Sequence, residues 1–337
     1  MKRNMKSWLE ELRKSPRKKA FPILSFPAIQ LMDISVRDLI SDSDLQAKGM
    51  SLVAKRADTA ASVSLMDLSV EAECFGSTIS ISDNEVPTVV GHIISSEEEA
   101  LQLPIPPVGS GRTGIYIDAI KKAASLINDR PIFAGVIGPF SLAARLLDVT
   151  EIMVDCYDEP DMVHTVLDKA TQFLIQYCKA YKDAGANGIV LAEPVAGLLS
   201  PTLAEEFSSA YVKQIVSSVQ DDSFLIIYHN CGNNTVLAIN SILGTGAAAY
   251  HFGNAIQMTD ILSRVSPDTI VMGNIDPAGE FRNGTPDSIK VATQKLLSDC
   301  RDFPNFVLSS GCDIPPLSPW KNIDAFFDAV SDYYKNI

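Results

Sequence analysis

From about residue 60 onward, short apolar runs alternate with longer stretches in which apolar positions recur at helical spacing. The runs are SVSLMDL (62–68), PIFAGVIG (131–138), NGIVLAE (187–193), FLIIYHN (224–230), AAAYHFG (247–253), TIVMGNI (269–275) and NFVLSSG (305–311), with STISIS (77–82) a weaker one. They are near-continuous Val, Ile and Leu without strict alternation, the pattern of strands covered on both faces. Between them, EPDMVHTVLDKATQFLIQYCKAYKDAG opens on an acidic turn and closes on Gly185, the start and stop signals of a long helix. Strand–helix alternation repeated about eight times predicts a parallel sheet closed as a single (β/α)8 TIM barrel, one domain spanning residues 1–337. A doubly wound open sheet is the alternative, weakened because no Gly-x-Gly-x-x-Gly follows an early strand.

Two segments break the rhythm. MKRNMKSWLEELRKSPRKK predicts a basic N-terminal helix within residues 1–20, with Trp8 and Leu12 packing inward. It lacks the apolar stretch of a secretory signal, and Glu10 and Glu11 suit a mitochondrial address poorly. SSEEEALQLPIPPVGSGRTG (95–114) is rich in Pro, Gly and Ser and longer than a barrel connection requires, so it reads as a surface excursion over a mouth.

Composition narrows the classes. Apolar residues make up 46% and charged residues 20%, as in an ordinary packed core. No uninterrupted apolar stretch approaches the roughly 18 residues of a membrane span, and two prolines break the nearest, FPILSFPAIQLM. A net charge of −13 argues against a nucleic-acid partner. The six cysteines show no disulfide-scaffold spacing, which predicts a reducing, cytoplasmic setting.

Polar residues collect where the apolar runs stop: Asp67, Glu193, His229, Cys231, His251, Asn274, Asp276 and Cys312. In a barrel these ends open on one face, where catalytic residues sit. His229 and Cys231 are two apart and share a face of a strand, and an imidazole beside a thiolate suits zinc. Cys312 lies 81 positions after Cys231, too far for a zinc finger, so the three meet only if the ends of strands five and eight converge. Spacing alone leaves the other reading open, in which both cysteines are small buried hydrophobes. His92 and His164 have no motif around them, and Cys74, Cys156, Cys178 and Cys300 fall in helical or loop patterns.

YHNCGNNT (228–235), GNIDPAGEFRNGTP (273–286) and LSSGCDIPPLSP (308–319) resemble the uroporphyrinogen decarboxylase superfamily, in particular its zinc-dependent branch of methylcobamide:coenzyme M and related corrinoid methyltransferases. LMDLSVEAECFG, GVIGPFSLAARLL and LAEPVAGLLSP extend the likeness over nearly the whole chain. The resemblance implies zinc held by His229, Cys231 and Cys312. It further implies a methyl group moved between a corrinoid carried on a separate protein and a small thiol such as coenzyme M. Zinc would hold that thiol as the nucleophilic thiolate. Asp67 matches a strand-end acid of the family and is a substrate-side candidate, as are Glu193, His251 and Asn274. Glu193 has two further readings, as a fourth zinc ligand and as a structural residue; Asn274 and Asp276 also suit turn-shaping. Relatives carry an acid shortly after the position of His251, where this chain has Gly253 and Asn254. True uroporphyrinogen decarboxylases carry an Arg-rich motif near the N-terminus. Its counterpart here, FPILSFPAIQLMDIS, has no arginine, so a tetra-acidic porphyrinogen lacks its clamp. The competing readings are transfer in the reverse direction, from a small methylated donor to the corrinoid, and a non-catalytic zinc scaffold. No corrinoid-binding segment is present in the sequence, which implies a partner chain, with the enzyme itself a monomer or homodimer.

Overall fold

A computed structural model describes residues 3–335. Its strands are, in chain order, β1 (Ser62–Val63), β2 (Thr78–Ser80), β3 (Thr88–Val90), β4 (Ile132–Ile137), β5 (Gly188–Ala192), β6 (Leu225–Asn230), β7 (Ala249–Phe252), β8 (Ile270–Ile275) and β9 (Phe306–Ser310). Seven of them form one parallel sheet in the order β1-β4-β5-β6-β7-β8-β9, with helices between successive strands. The sheet curls into the predicted (β/α)8 barrel.

The eighth stave is not the one the apolar pattern suggested. STISIS contributes β2, which pairs antiparallel with β3 as a hairpin outside the barrel sheet. The gap between β9 and β1 is bridged instead by the extended chain around Ala20–Leu24. Phe21 N donates to Leu308 O (2.8 Å), Ile23 N to Ser310 Oγ (3.0 Å), and Ala60 N to Ala20 O (2.8 Å). Pro22 has no N–H to give, so this stave cannot form a continuous ladder, which is why it does not read as a strand.

Strand residues alternate between two cores. In β5, Val190 and Ala192 join the lumen cluster while Ile189 and Leu191 face the helices; in β6, Leu225 and Ile227 face inward and Ile226 and Tyr228 outward. Both faces are apolar, which explains the unalternating sequence.

The helix Met5–Lys14 closes the N-terminal end of the lumen. Asn4 Oδ1 caps it through Ser7 N (3.0 Å), and it buries Met5, Trp8 and Leu12. The Trp8 ring lies 5.5 Å from Phe133 and 6.3 Å from Phe21 inside the lumen. Met5 N donates to Asp222 O (2.8 Å) just before β6, and Lys18 Nζ to Phe306 O (3.0 Å) at the start of β9.

The long helix runs Pro160–Asp183 with proline in its first turn, and Gly185 follows at φ 103°, as its signals predicted. The 95–114 excursion does not roof the mouth. Its short helix Glu97–Gln102 packs on Pro160–Asp183, and Lys169 Nζ gathers the carbonyls of Ala100, Leu101 and Leu103 at 2.6–2.8 Å. Only its last residues return to the strand ends. Among the described residues no helix is long and apolar enough to cross a membrane.

Candidate metal centre

Extending the inward parity of β6 puts His229 in the lumen at the C-terminal end of the barrel, beside His251 in register on β7. Both rings are buried, and their Nδ1 atoms are 2.7 Å apart. His251 Nε2 meets Ser309 Oγ at 2.7 Å, and that hydroxyl donates to Phe21 O at 2.6 Å. These bonds assign the tautomers. A carbonyl can only accept, so the Ser309 proton points to Phe21 and its oxygen accepts from His251 Nε2–H. His251 Nδ1 is then a lone pair, and His229 Nδ1–H donates to it. Burial, reinforced by the neighbouring His229, holds the His251 pKa well below the ordinary histidine range, so this ring stays neutral.

His229 Nε2 is therefore a lone pair, and it is buried without a hydrogen-bond partner. An unmatched buried acceptor is costly, and its usual explanation is a ligand. Cys231 and Cys312, both free and half-buried, are its neighbours. Hydrogen bonding between the thiols lowers Cys231 and is the main cause lifting Cys312 to about 12; burial adds to that rise, and His229 opposes it. Among the described residues no three His, Cys, Asp or Glu side chains are pre-arranged around a common metal position. The trio is a set of neighbours whose thiols must turn to converge. Its donor chemistry, one imidazole lone pair and two thiols, fits zinc.

The surrounding loops leave little room. A Cβ on Gly253 would lie 2.5 Å from Cys231 Cβ, so the chain after β7 packs directly on the cysteine. A Cβ on Gly197 would lie 2.0 Å from Cys231 O, and Gly232, at φ 126°, meets Gly197 backbone to backbone. The turn after β5 is thus pressed against the Cys231 turn. Asp313, next to Cys312, has a buried Oδ1 without a partner, and burial keeps its carboxyl well above the usual range.

The other strand-end residues are committed to the framework. Glu193 points away from the lumen; its oxygens accept from Phe140 N and Ser141 N (both 2.8 Å) at the start of the helix Pro139–Leu147. It is therefore not free to serve as a fourth ligand or to bind substrate, and burial lifts it to about 7. Asp67, also placed on the substrate side by sequence, accepts from Ser69 Oγ (2.6 Å), Tyr116 Oη (2.7 Å) and the Arg112 guanidinium, which also pairs with Glu73. Asn274 Nδ2 donates to Gly253 O (2.8 Å) and Ile256 O (2.7 Å), and Asp276 Oδ1 accepts from Ala278 N and Gly279 N, so both shape turns. His251 lies behind His229 rather than facing the mouth. His164 stacks on Phe207 at 4.6 Å and bonds Tyr211 Oη, away from this site. Ser309, Arg112 and Asp313 escaped the sequence reading. Only Ser309 left a signal, because it continues the inward parity of Val307.

The uroporphyrinogen decarboxylase (URO-D) family model matches residues 24–333. The chain is 28% identical over 271 residues to the methylcobamide:CoM methyltransferase MtbA of Methanosarcina acetivorans, covering 79% of this chain and 78% of that one. It is 25% identical over 308 residues to the uroporphyrinogen decarboxylase of Alcanivorax borkumensis, covering 88% and 85%. A solved methyltransferase from Methanosarcina mazei superposes with a TM-score of 0.85 at 25% identity, over 98% of this chain and 99% of that one.

Proposed function

The chain belongs to the uroporphyrinogen decarboxylase (URO-D) family, and from that premise we propose that it is a zinc-dependent methyltransferase moving a methyl group between a corrinoid on a separate protein and a small thiol such as coenzyme M. The observation that carries this reading is the buried, unpartnered Nε2 of His229 beside Cys231 and Cys312. Relatives that are methylcobamide:CoM methyltransferases support it. Held by these three residues, zinc would keep an incoming thiol deprotonated near neutral pH and leave it one coordination position.

The chain's own residues do the rest. Ser309 and His251 fix the His229 ring so that only Nε2 is offered. The apolar lumen below, with Met66, Ala192 and Ile227, excludes water from the reacting end. Val149 and Leu198 at the rim and Leu237 in the turn after β6 are exposed apolar residues, in keeping with a docked partner. Decarboxylation of uroporphyrinogen fits poorly. The stave around Ala20–Leu24 and the helix after it lack an arginine until Arg37, which pairs with Asp83 on the surface.

The test is to mix the purified protein with free methylcobalamin and a panel of thiols and to follow cobalamin absorbance. Loss of the methylcobalamin spectrum with a thiol, abolished by His229→Ala, is the expected outcome. Methylation of cob(I)alamin from a methylated donor, with every thiol inert, would replace this reading by its reverse.

A further inference from the structure

The β2–β3 hairpin, the segment after β1 and the turn after β5 line an open pocket of about 540 Å³ at the C-terminal end of the barrel. Its walls are mostly apolar, including Met66, Leu68, Val89, Val195 and Leu198. The turn carrying Val195 and Leu198 is the one that Gly197 presses against the Cys231 backbone, so one turn separates the pocket from the Cys231 loop. A pocket of this size suits a small ligand.

Arg145 lines it. Its Nη1 bonds only Ser141 O, one turn back on its own helix (3.1 Å), and among the described residues its guanidinium makes no ion pair. Other arginines also lack an ion pair, Arg282 for one bonding only Leu317 O, but Arg145 combines that lack with a place in a pocket wall near the site. Arg112, a short way off behind Asp67, is saturated by Asp67, Glu73 and Ser69. The acids near Arg145 are engaged elsewhere: Asp67 holds Arg112, Glu193 caps a helix, and Glu71 accepts from Ile137 N. Burial lifts both glutamates to about 7, so they neutralise the guanidinium only in part. A largely enclosed guanidinium with free donors in an apolar pocket is costly unless a ligand matches it. Its planar fork selects an oxyanion with two oxygens to share.

We propose that Arg145 is an anion subsite that holds the sulfonate or carboxylate end of the acceptor thiol, with the sulfur directed past the Val195–Leu198 turn toward Cys231 and Cys312. This rests on the thiol-methylating reading above and narrows its substrate to thiols with a permanent negative end.

Two measurements test it. In the methylcobalamin assay, kcat/KM is compared for 2-mercaptoethanesulfonate and for uncharged 2-mercaptoethanol. Wild type should prefer the sulfonate, and Arg145→Met should cut that preference about 10- to 100-fold, the scale of a charge-assisted hydrogen bond. An unchanged preference would overturn the subsite. Calorimetric titration with ethanesulfonate, which has no thiol, does not depend on methyl transfer. Binding by wild type that Arg145→Met abolishes supports the subsite even if no thiol is methylated, in which case only the functional reading falls. No binding by wild type overturns the subsite alone. Should Arg145→Met fail to fold, Arg145→Lys keeps the charge and loses the fork; an affinity equal to wild type then counts against the proposal.

Discussion

The hydroxyl of Ser309 decides which nitrogen of His229 is free. By giving its proton to Phe21 O it can only accept from His251, and that choice passes through the Nδ1 pair to leave His229 Nε2 as the lone pair. Ser309→Ala removes the acceptor and releases both tautomers. Zinc affinity, read by competition with a chromogenic chelator, should fall about 10- to 100-fold, the usual cost of losing an outer-shell partner, while the fold persists. Unchanged affinity would show that the relay does not orient the ligand. A second residue sets a pH dependence. Glu71 is buried, with Oε1 accepting from Ile137 N and Oε2 unpartnered, and burial lifts its carboxyl to about 7. Between the ordinary carboxyl range and about 7 the native state binds the extra proton, so stability falls as pH rises through this window and levels off above it. Glu71→Gln should lessen that fall and raise the melting temperature at pH 7.5, leaving the part due to the other buried, raised carboxyls, Glu193 and Asp313. A melting profile identical to wild type across pH 5–7.5 would contradict this.

Among the elements, the N-terminal helix matters most to the barrel below the site. Trp8 fills the lower lumen against Phe21 and Phe133, and truncating a buried aromatic typically costs about 3–5 kcal/mol. Trp8→Ala should lower stability by that order in urea, with zinc binding by the folded protein retained because the centre lies at the opposite end. A loss under about 1 kcal/mol would mean that the helix does not seal the lumen. This helix, the long Pro160–Asp183 helix and all seven sheet strands were legible in the sequence, because each helix carries a helical period or capping signals and each strand a near-continuous apolar run. The stave around Ala20–Leu24 was not: Pro22 disguises it, and its partners Ala60 and Leu308 lie far along the chain. STISIS, with its clean alternation, was assigned to the barrel when it belongs to a hairpin half-open to solvent.

At the scale of the whole molecule, the barrel turns a pattern that is local in sequence into a site that is not. His229 and Cys231 could be paired from a spacing of two, since period-two geometry is a property of one strand. Bringing in Cys312 needed a closed barrel. What lay beyond reach was contact across the lumen, His251 on β7 to Ser309 on β9, and the fate of acids whose partners lie on distant helices, as with Glu193 and the turn at Phe140. The central claim is that His229, Cys231 and Cys312 together hold one zinc. It is tested most directly by elemental analysis of the purified protein and its single variants. The account predicts about one zinc per chain in wild type and loss of most of it in Cys231→Ala and Cys312→Ala, both still folded by circular dichroism, since so large an apolar core does not depend on one metal. Full zinc in both variants, or none in wild type supplied with zinc, would contradict it.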